Sequence, residues 1–157
     1  VKMIGLDLPD HGVKTKQGPQ GPQVFDPVRR LWVALTPEEW VRQHFLNHLI
    51  HDLGCPAGLI TVERGLVLNG MPRRADIVVH APDGAPLAVV ECKAPSVPIR
   101  QATFDQAARY NSVFQVPVLL VTNGRTHFAC HIDRSTGAVR FLTALPDHAA
   151  MLALRPV

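Results

Sequence analysis

Arg73-Arg74-Ala75-Asp76-Ile77-Val78-Val79-His80, then Pro82-Asp83-Gly84, then Leu87-Ala88-Val89-Val90-Glu91-Cys92-Lys93, reads as two apolar strands closed by a tight turn. A turn symmetric about Asp83-Gly84 sets Asp76 opposite Glu91, Val78 opposite Val89 and His80 opposite Leu87. Two carboxylates then oppose each other beside strongly apolar runs, an arrangement that costs stability unless something positive lies between them. By strand alternation Lys93 shares a face with Glu91, and Arg74 shares one with Asp76. A hard divalent cation held by oxygen ligands is the other neutraliser, and carboxylates with water are what Mg²⁺ selects. A solvated sheet face with two salt bridges is the alternative for these residues taken alone.

Outward from the hairpin, a strand is expected at Leu59–Leu68 before it and a helix at about Ile99–Phe114 after it, followed by strands at Val116–Thr122, Thr126–Ile132 and Ala138–Leu142. On that second helix Gln106 and Tyr110 are four residues apart. They share the stripe of Ile99 and Val113, which turns both polar side chains toward the sheet, either to serve a site or to sit at a half-buried boundary. Upstream, Thr36-Pro37-Glu38-Glu39 is a helix start: a hydroxyl cap, proline at the first helical position and an acid at the third. The first helix runs to about Leu53, with Val41, Phe45, Leu46, Leu49, Ile50 and Leu53 on one broad side. Glu39 and Arg42 fall on that same side. Either Glu39 closes a capping box while Arg42 caps a neighbouring carbonyl, or Glu39 is a further metal ligand; Glu38 shares the side, so periodicity does not choose between the two glutamates. The Pro/Gly/Gln-rich residues 1–28 read as an arm with short strands near Gly12–Lys16 and Gln23–Phe25, and residues 147–157 as a tail. The order of elements makes a single α/β domain with a central mixed sheet flanked by helices.

Composition agrees with a folded domain: 157 residues, 46% apolar and 18% charged. Sixteen Lys and Arg against thirteen Asp and Glu leave a net charge of +3, which permits a polyanionic partner without requiring one. The three cysteines, Cys55, Cys92 and Cys130, include no C-x-x-C pair, which argues against a disulfide framework and a zinc knuckle and for a reducing, cytoplasmic setting. No apolar run reaches the roughly 20 residues of a membrane span, and the start lacks a signal-peptide layout.

The segments Arg73-Arg74-Ala75-Asp76-Ile77-Val78-Val79, Glu91-Cys92-Lys93-Ala94-Pro95, Gln106…Tyr110-Asn111 and Val121-Thr122-Asn123-Gly124, preceded by Thr36-Pro37-Glu38-Glu39-Trp40-Val41-Arg42-Gln43, resemble the N-terminal nuclease domain of type I restriction enzyme R subunits, of the PD-(D/E)xK superfamily. The resemblance runs from about Phe25 to Pro146. It implies a restriction-endonuclease-like core over residues 29–146 and a Mg²⁺-dependent DNA endonuclease, with Mn²⁺ as a substitute ion. By the same resemblance Asp76 and Glu91 bind the metal, joined by Glu39 from the first helix. Lys93 orients the attacking water, and Gln106 and Tyr110 organise the site and the DNA backbone.

Arg73, Arg74 and Arg109, with Tyr110, are candidates for DNA contact, as are Arg29, Arg30 and Arg100. The implied partners are DNA and other restriction-system subunits or a separate motor protein, and a homodimer is compatible. R subunits continue into a DNA-translocating ATPase, whereas these residues contain no G-x-x-x-x-G-K-[S/T] loop, so no motor is expected within them. A nuclease-fold module that binds nucleic acid or a restriction partner without cutting is the rival reading.

Two weaker features remain. His44, His48 and His51 form a stripe on the first helix, read as a boundary stripe rather than a zinc site because no H-E-x-x-H pattern or cysteine pair accompanies it. Cys92 alternates away from Glu91 and Lys93 and is read as a small buried hydrophobe.

Overall fold

The central hairpin forms where its sequence places it. In the computed structural model, which describes residues 5–156 and the side chains of all of these except Leu68 and residues 110–114, Met71–His80 (β5) pairs antiparallel with Pro86–Cys92 (β6). The register matches Ile77 with Val90, Val78 with Val89 and Val79 with Ala88, so one further step along the ladder sets Asp76 against Glu91. Toward the turn the expectation fails: His80 faces Pro86 rather than Leu87, because the register shifts between Val79 and His80. The turn itself is held by Asp83 Oδ1, which accepts from the Ala85 N–H at 3.0 Å, and by Gly84 at φ +89°.

Around this hairpin stands a six-stranded mixed sheet. Ile60–Leu68 (β4) flanks β5, and β6 pairs in parallel with Val118–Thr122 (β7), which leads to His127–Ile132 (β8) and Val139–Phe141 (β9). The parallel step requires a crossover, supplied by the helix Gln101–Phe114 (α2). Alternation along β6 sorts its side chains into two cores. Ala88, Val90 and Cys92 pack with Val41, Phe45, Leu46 and Leu49 of the helix Pro37–His51 (α1). Val89 packs with Ala107 of α2. Cys92 is fully buried, as alternation predicted.

Helix α1 starts as its cap residues predict: Thr36 is extended, and its hydroxyl accepts the Glu39 N–H at 3.0 Å. Two elements were not anticipated. Thr15–Gly18 (β1) and Gly21–Asp26 (β2) continue into a third strand, Leu31–Ala34 (β3), so a boundary drawn at residue 28 cuts through a three-stranded sheet. The expected tail contains a short helix, His148–Ala153 (α3), capped by Asp147, whose carboxylate accepts the Ala150 N–H at 2.8 Å. It is tied down by Met151 in the core and by His148 Nε2, which donates to the His80 carbonyl at 3.0 Å. Six residues with one buried methionine carry too little periodicity to be read as a helix.

Candidate functional site

Asp76 from the middle of β5, Glu91 and Lys93 from the end of β6, the first turns of α1 and the first half of α2 converge on one place. Glu63 on β4 lies between the ladder pairs Val62–Ile77 and Arg64–Ala75, which places it in register against Asp76 from the side opposite Glu91. Three carboxylates thus stand in a row across adjacent strands. Glu63 holds a left-handed backbone at φ +57°, a conformation a side chain with a Cβ adopts at a cost of order 1–3 kcal/mol and which clusters at functional sites.

Asp76 is nearly enclosed, 7% exposed. Its Oδ2 accepts the Cys92 N–H at 2.7 Å and its Oδ1 accepts from the Arg42 guanidinium at 2.7 Å. Burial pushes the carboxyl upward against the pull of Arg42 and the Cys92 N–H. Glu91 is buried as well, and burial followed by the charge of Asp76 pushes it up to about 8. Its Oε1 faces Lys93 Nζ at 3.4 Å, while its buried Oε2 has no hydrogen-bond partner. Lys93 Nζ also donates to Gln106 Oε1 at 3.2 Å, so Gln106 turns toward the sheet as its spacing predicted. The side chain of Tyr110 lies outside the described residues.

The positive partner of Asp76 is not Arg74. Arg74 is largely exposed and its Nη1 pairs with Glu63 Oε2 at 3.2 Å. Arg42 takes the central position instead. Its Nη1 donates to Glu39 Oε1 at 2.6 Å, and its Nη2 reaches Glu63 Oε1 at 2.8 Å and Glu38 Oε1 at 3.5 Å besides Asp76. The expectation that it caps a carbonyl is corrected by these carboxylates. Burial works against its charge, but Asp76 and Glu39 keep it firmly protonated.

Of the two first-helix acids, Glu39 is the buried one. A second set of donors fixes it: Gln43 Nε2 meets Glu39 Oε2 at 3.2 Å and Asp26 Oδ2 at 2.9 Å, and Arg29 joins Asp26 (2.7 Å) to Glu39 Oε1 (3.5 Å). Arg29, expected as a phosphate contact, is therefore used internally. Arg30, Arg73, Arg100 and Arg109 are exposed. Arg42, Glu63 and Asp26 were missed as members of the site. The inward phase of Arg42 on α1 was a usable signal for the first; nothing local marked the other two.

Among the described residues no three His, Cys, Asp or Glu side chains are gathered in a geometry that could hold a metal. The donor chemistry nevertheless suits a hard cation, since the oxygens of Asp76, Glu39 and Glu63 surround a positive group and the open Glu91 Oε2 is oriented by none. Along the histidine stripe, His48 Nδ1 and His11 Nε2 both bond Asp52 Oδ2, at 2.6 and 2.7 Å, and His44 is buried against the Trp40 ring.

The sequence model for the N terminus of type I restriction enzyme R proteins matches residues 37–146, which contain the whole row of acids, Lys93, Gln106 and Arg42. The chain belongs to that family. A solved structure described as a fragment of an HsdR subunit of a type I restriction enzyme, from Vibrio vulnificus YJ016, is similar at a TM-score of 0.55 and 24% identity. The alignment covers 78% of this chain and 25% of that one, so this R-protein N-terminal region spans about a quarter of the HsdR fragment it resembles. At that identity the likeness concerns the fold: a central mixed sheet with flanking helices. No curated protein matches the chain. No helix among the described residues is long and apolar enough to cross a membrane.

Proposed function

We propose that this R-protein N-terminal domain is a Mg²⁺-dependent endonuclease of the PD-(D/E)xK type that hydrolyses DNA phosphodiesters, with Mn²⁺ able to replace Mg²⁺. The observation that carries the reading is Glu91: a buried carboxylate with one oxygen toward Lys93 and the other without a partner, beside a second buried carboxylate on the adjacent strand. Asp76 and Glu91 would hold the ion, with Glu39 contributing from α1. When bound, such an ion neutralises charge at a phosphodiester and acidifies water.

The chain supplies the rest. Lys93 is positioned by Gln106 and Glu91 to hold a water by its ammonium group and to stabilise charge that develops on a phosphate oxygen. The Cys92 N–H fixes the orientation of Asp76. Exposed Arg73, Arg74 and Arg109, with Tyr110, would bind the DNA backbone, each phosphate contact adding salt dependence. The partners are then DNA and other subunits of a restriction system, in a cytoplasmic setting.

One observation favours a module that binds without cutting: Arg42 already satisfies oxygens of Asp76 and Glu39. Two measurements decide. Calorimetric titration with MnCl₂ should show binding that Asp76→Ala abolishes, and supercoiled plasmid should be nicked by the wild type in Mg²⁺ or Mn²⁺ but not by Asp76→Ala. Equal Mn²⁺ binding by both proteins sinks the metal assignment. Metal binding with equal background nicking by both proteins assigns the domain to the binding module.

A further inference from the structure

We propose that Arg42 is the resident cation of this site when no divalent ion is bound, and that its guanidinium must leave Asp76 and Glu39 before those carboxylates can take the ion. The inference rests on the metal reading above and adds a control that the reading does not contain.

Every oxygen of Asp76 and Glu39 is already engaged. Asp76 Oδ1 accepts from Arg42 and Oδ2 from the Cys92 N–H; Glu39 Oε1 accepts from Arg42 and Arg29, and Oε2 from Gln43. Among the described carboxylate oxygens, Glu91 Oε2 is the one that is buried without a hydrogen-bond partner, which is an independent sign that the carboxylates are arranged for a cation beyond the one present. Mg²⁺ binds oxygen at about 2.0–2.1 Å in a strict octahedron and keeps several waters. A guanidinium 2.6 to 2.7 Å from the same two oxygens fills the space those waters need and repels the incoming charge.

The fold also provides a place for the displaced group. Arg42 Nη2 lies 2.8 Å from Glu63 Oε1 and 3.5 Å from Glu38 Oε1, so rotation away from Asp76 keeps it paired. Arginine suits the post because its planar fork spans two carboxylates at once, which an ammonium point charge does not. Glu63 holds its strained backbone at the position where it receives this fork. Arg42 is thus a positioning residue that preorders the acids and sets the concentration of divalent ion the site requires.

The test is calorimetric titration of the full chain with MnCl₂ at low salt, for wild type, Arg42→Gln and Arg42→Lys, each also carrying Asp76→Asn as a control. Arg42→Gln is expected to bind Mn²⁺ about tenfold or more tightly than wild type, since a unit charge near 4 Å is removed. Arg42→Lys should fall between them, and Asp76→Asn should cancel the gain. A folded Arg42→Gln that binds Mn²⁺ no better than wild type overturns the proposal. If Arg42→Gln folds only with Mn²⁺ present, the proposal is supported. If it does not fold at all, Arg42→Lys decides by the same criterion: tighter binding supports, equal or weaker binding overturns. Failure of the underlying metal reading looks different, as no Asp76-dependent binding in any of the three proteins.

Discussion

Lys93 Nζ donates to Gln106 Oε1 at 3.2 Å, which joins the end of β6 to the first half of α2 directly beside Glu91. The parallel crossover between β6 and β7 is what brings α2 over that strand end. The lysine, one residue past the end of β6, therefore has a partner from the helix and a second, Glu91 Oε1 at 3.4 Å, from β6.

Lys93→Ala should lower DNA cleavage by about 10²- to 10⁴-fold, the size of a general acid–base contribution, while Asp76-dependent Mn²⁺ binding persists. Gln106→Leu should give a smaller loss in the same direction, because the ammonium remains but is no longer oriented. Plasmid nicking beside Mn²⁺ calorimetry measures both. Unchanged cleavage in Lys93→Ala would remove the lysine from the mechanism.

Stability should fall as pH rises through the neutral range. Burial and Asp76 push Glu91 up to about 8, above its ordinary value of 4.5, so the folded protein holds that proton more tightly than the unfolded chain. The contribution is complete below pH 4.5 and is lost as pH climbs through about 8; the raised Asp76 acts in the same sense. In metal-free buffer the melting temperature of the wild type should drop between about pH 5 and pH 9, and the Glu91→Gln profile should be flatter. Parallel profiles would show that Glu91 titrates as an ordinary surface acid.

Asp26→Ala should cost about 2–4 kcal/mol in urea unfolding, because it strands buried donors and a charge. Asp26 is fully buried and accepts from the N–H groups of Val28 and Arg29 at 2.8 Å, from Arg29 Nε at 2.7 Å and from Gln43 Nε2 at 2.9 Å. Since Arg29 and Gln43 also hold Glu39, Mn²⁺ affinity should change with it. A loss below about 0.5 kcal/mol, the range of an ordinary surface change, would mean that the three-stranded sheet is not coupled to the site.

Gly124→Ala should destabilise by about 1–3 kcal/mol, the cost of a strained backbone conformation. Gly124 sits at φ +84°, and an added Cβ would lie 2.7 Å from Leu6 Cδ2 and 3.1 Å from Val41 Cγ2. Thermal unfolding measures the change. An unaltered melting temperature would show that the backbone at residue 124 relaxes from its positive φ and that Leu6 moves aside.

Local chemistry determined much of this protein. Thr36 and Pro37 set the start of α1, Asp83 and Gly84 made the β5–β6 turn, and alternation along β6 sent Cys92 into the core against α1 and Val89 into the core against α2, all through interactions spanning a few residues. The opposition of Asp76 and Glu91 was legible because the expected register holds from Val79–Ala88 to Ile77–Val90, although it slips by one residue at His80 beside the turn. Only the tertiary structure decided which charges meet. Arg42 and Asp76 are 34 residues apart and Glu39 and Arg29 belong to different layers, so no periodicity within one element could have paired them. Nothing in the local sequence singled out Glu63; the docking of β4 on β5 set it against Asp76. A buried carboxylate takes whichever cation the packing of helix on sheet delivers, and that is a property of the assembled layers, not of the chain order.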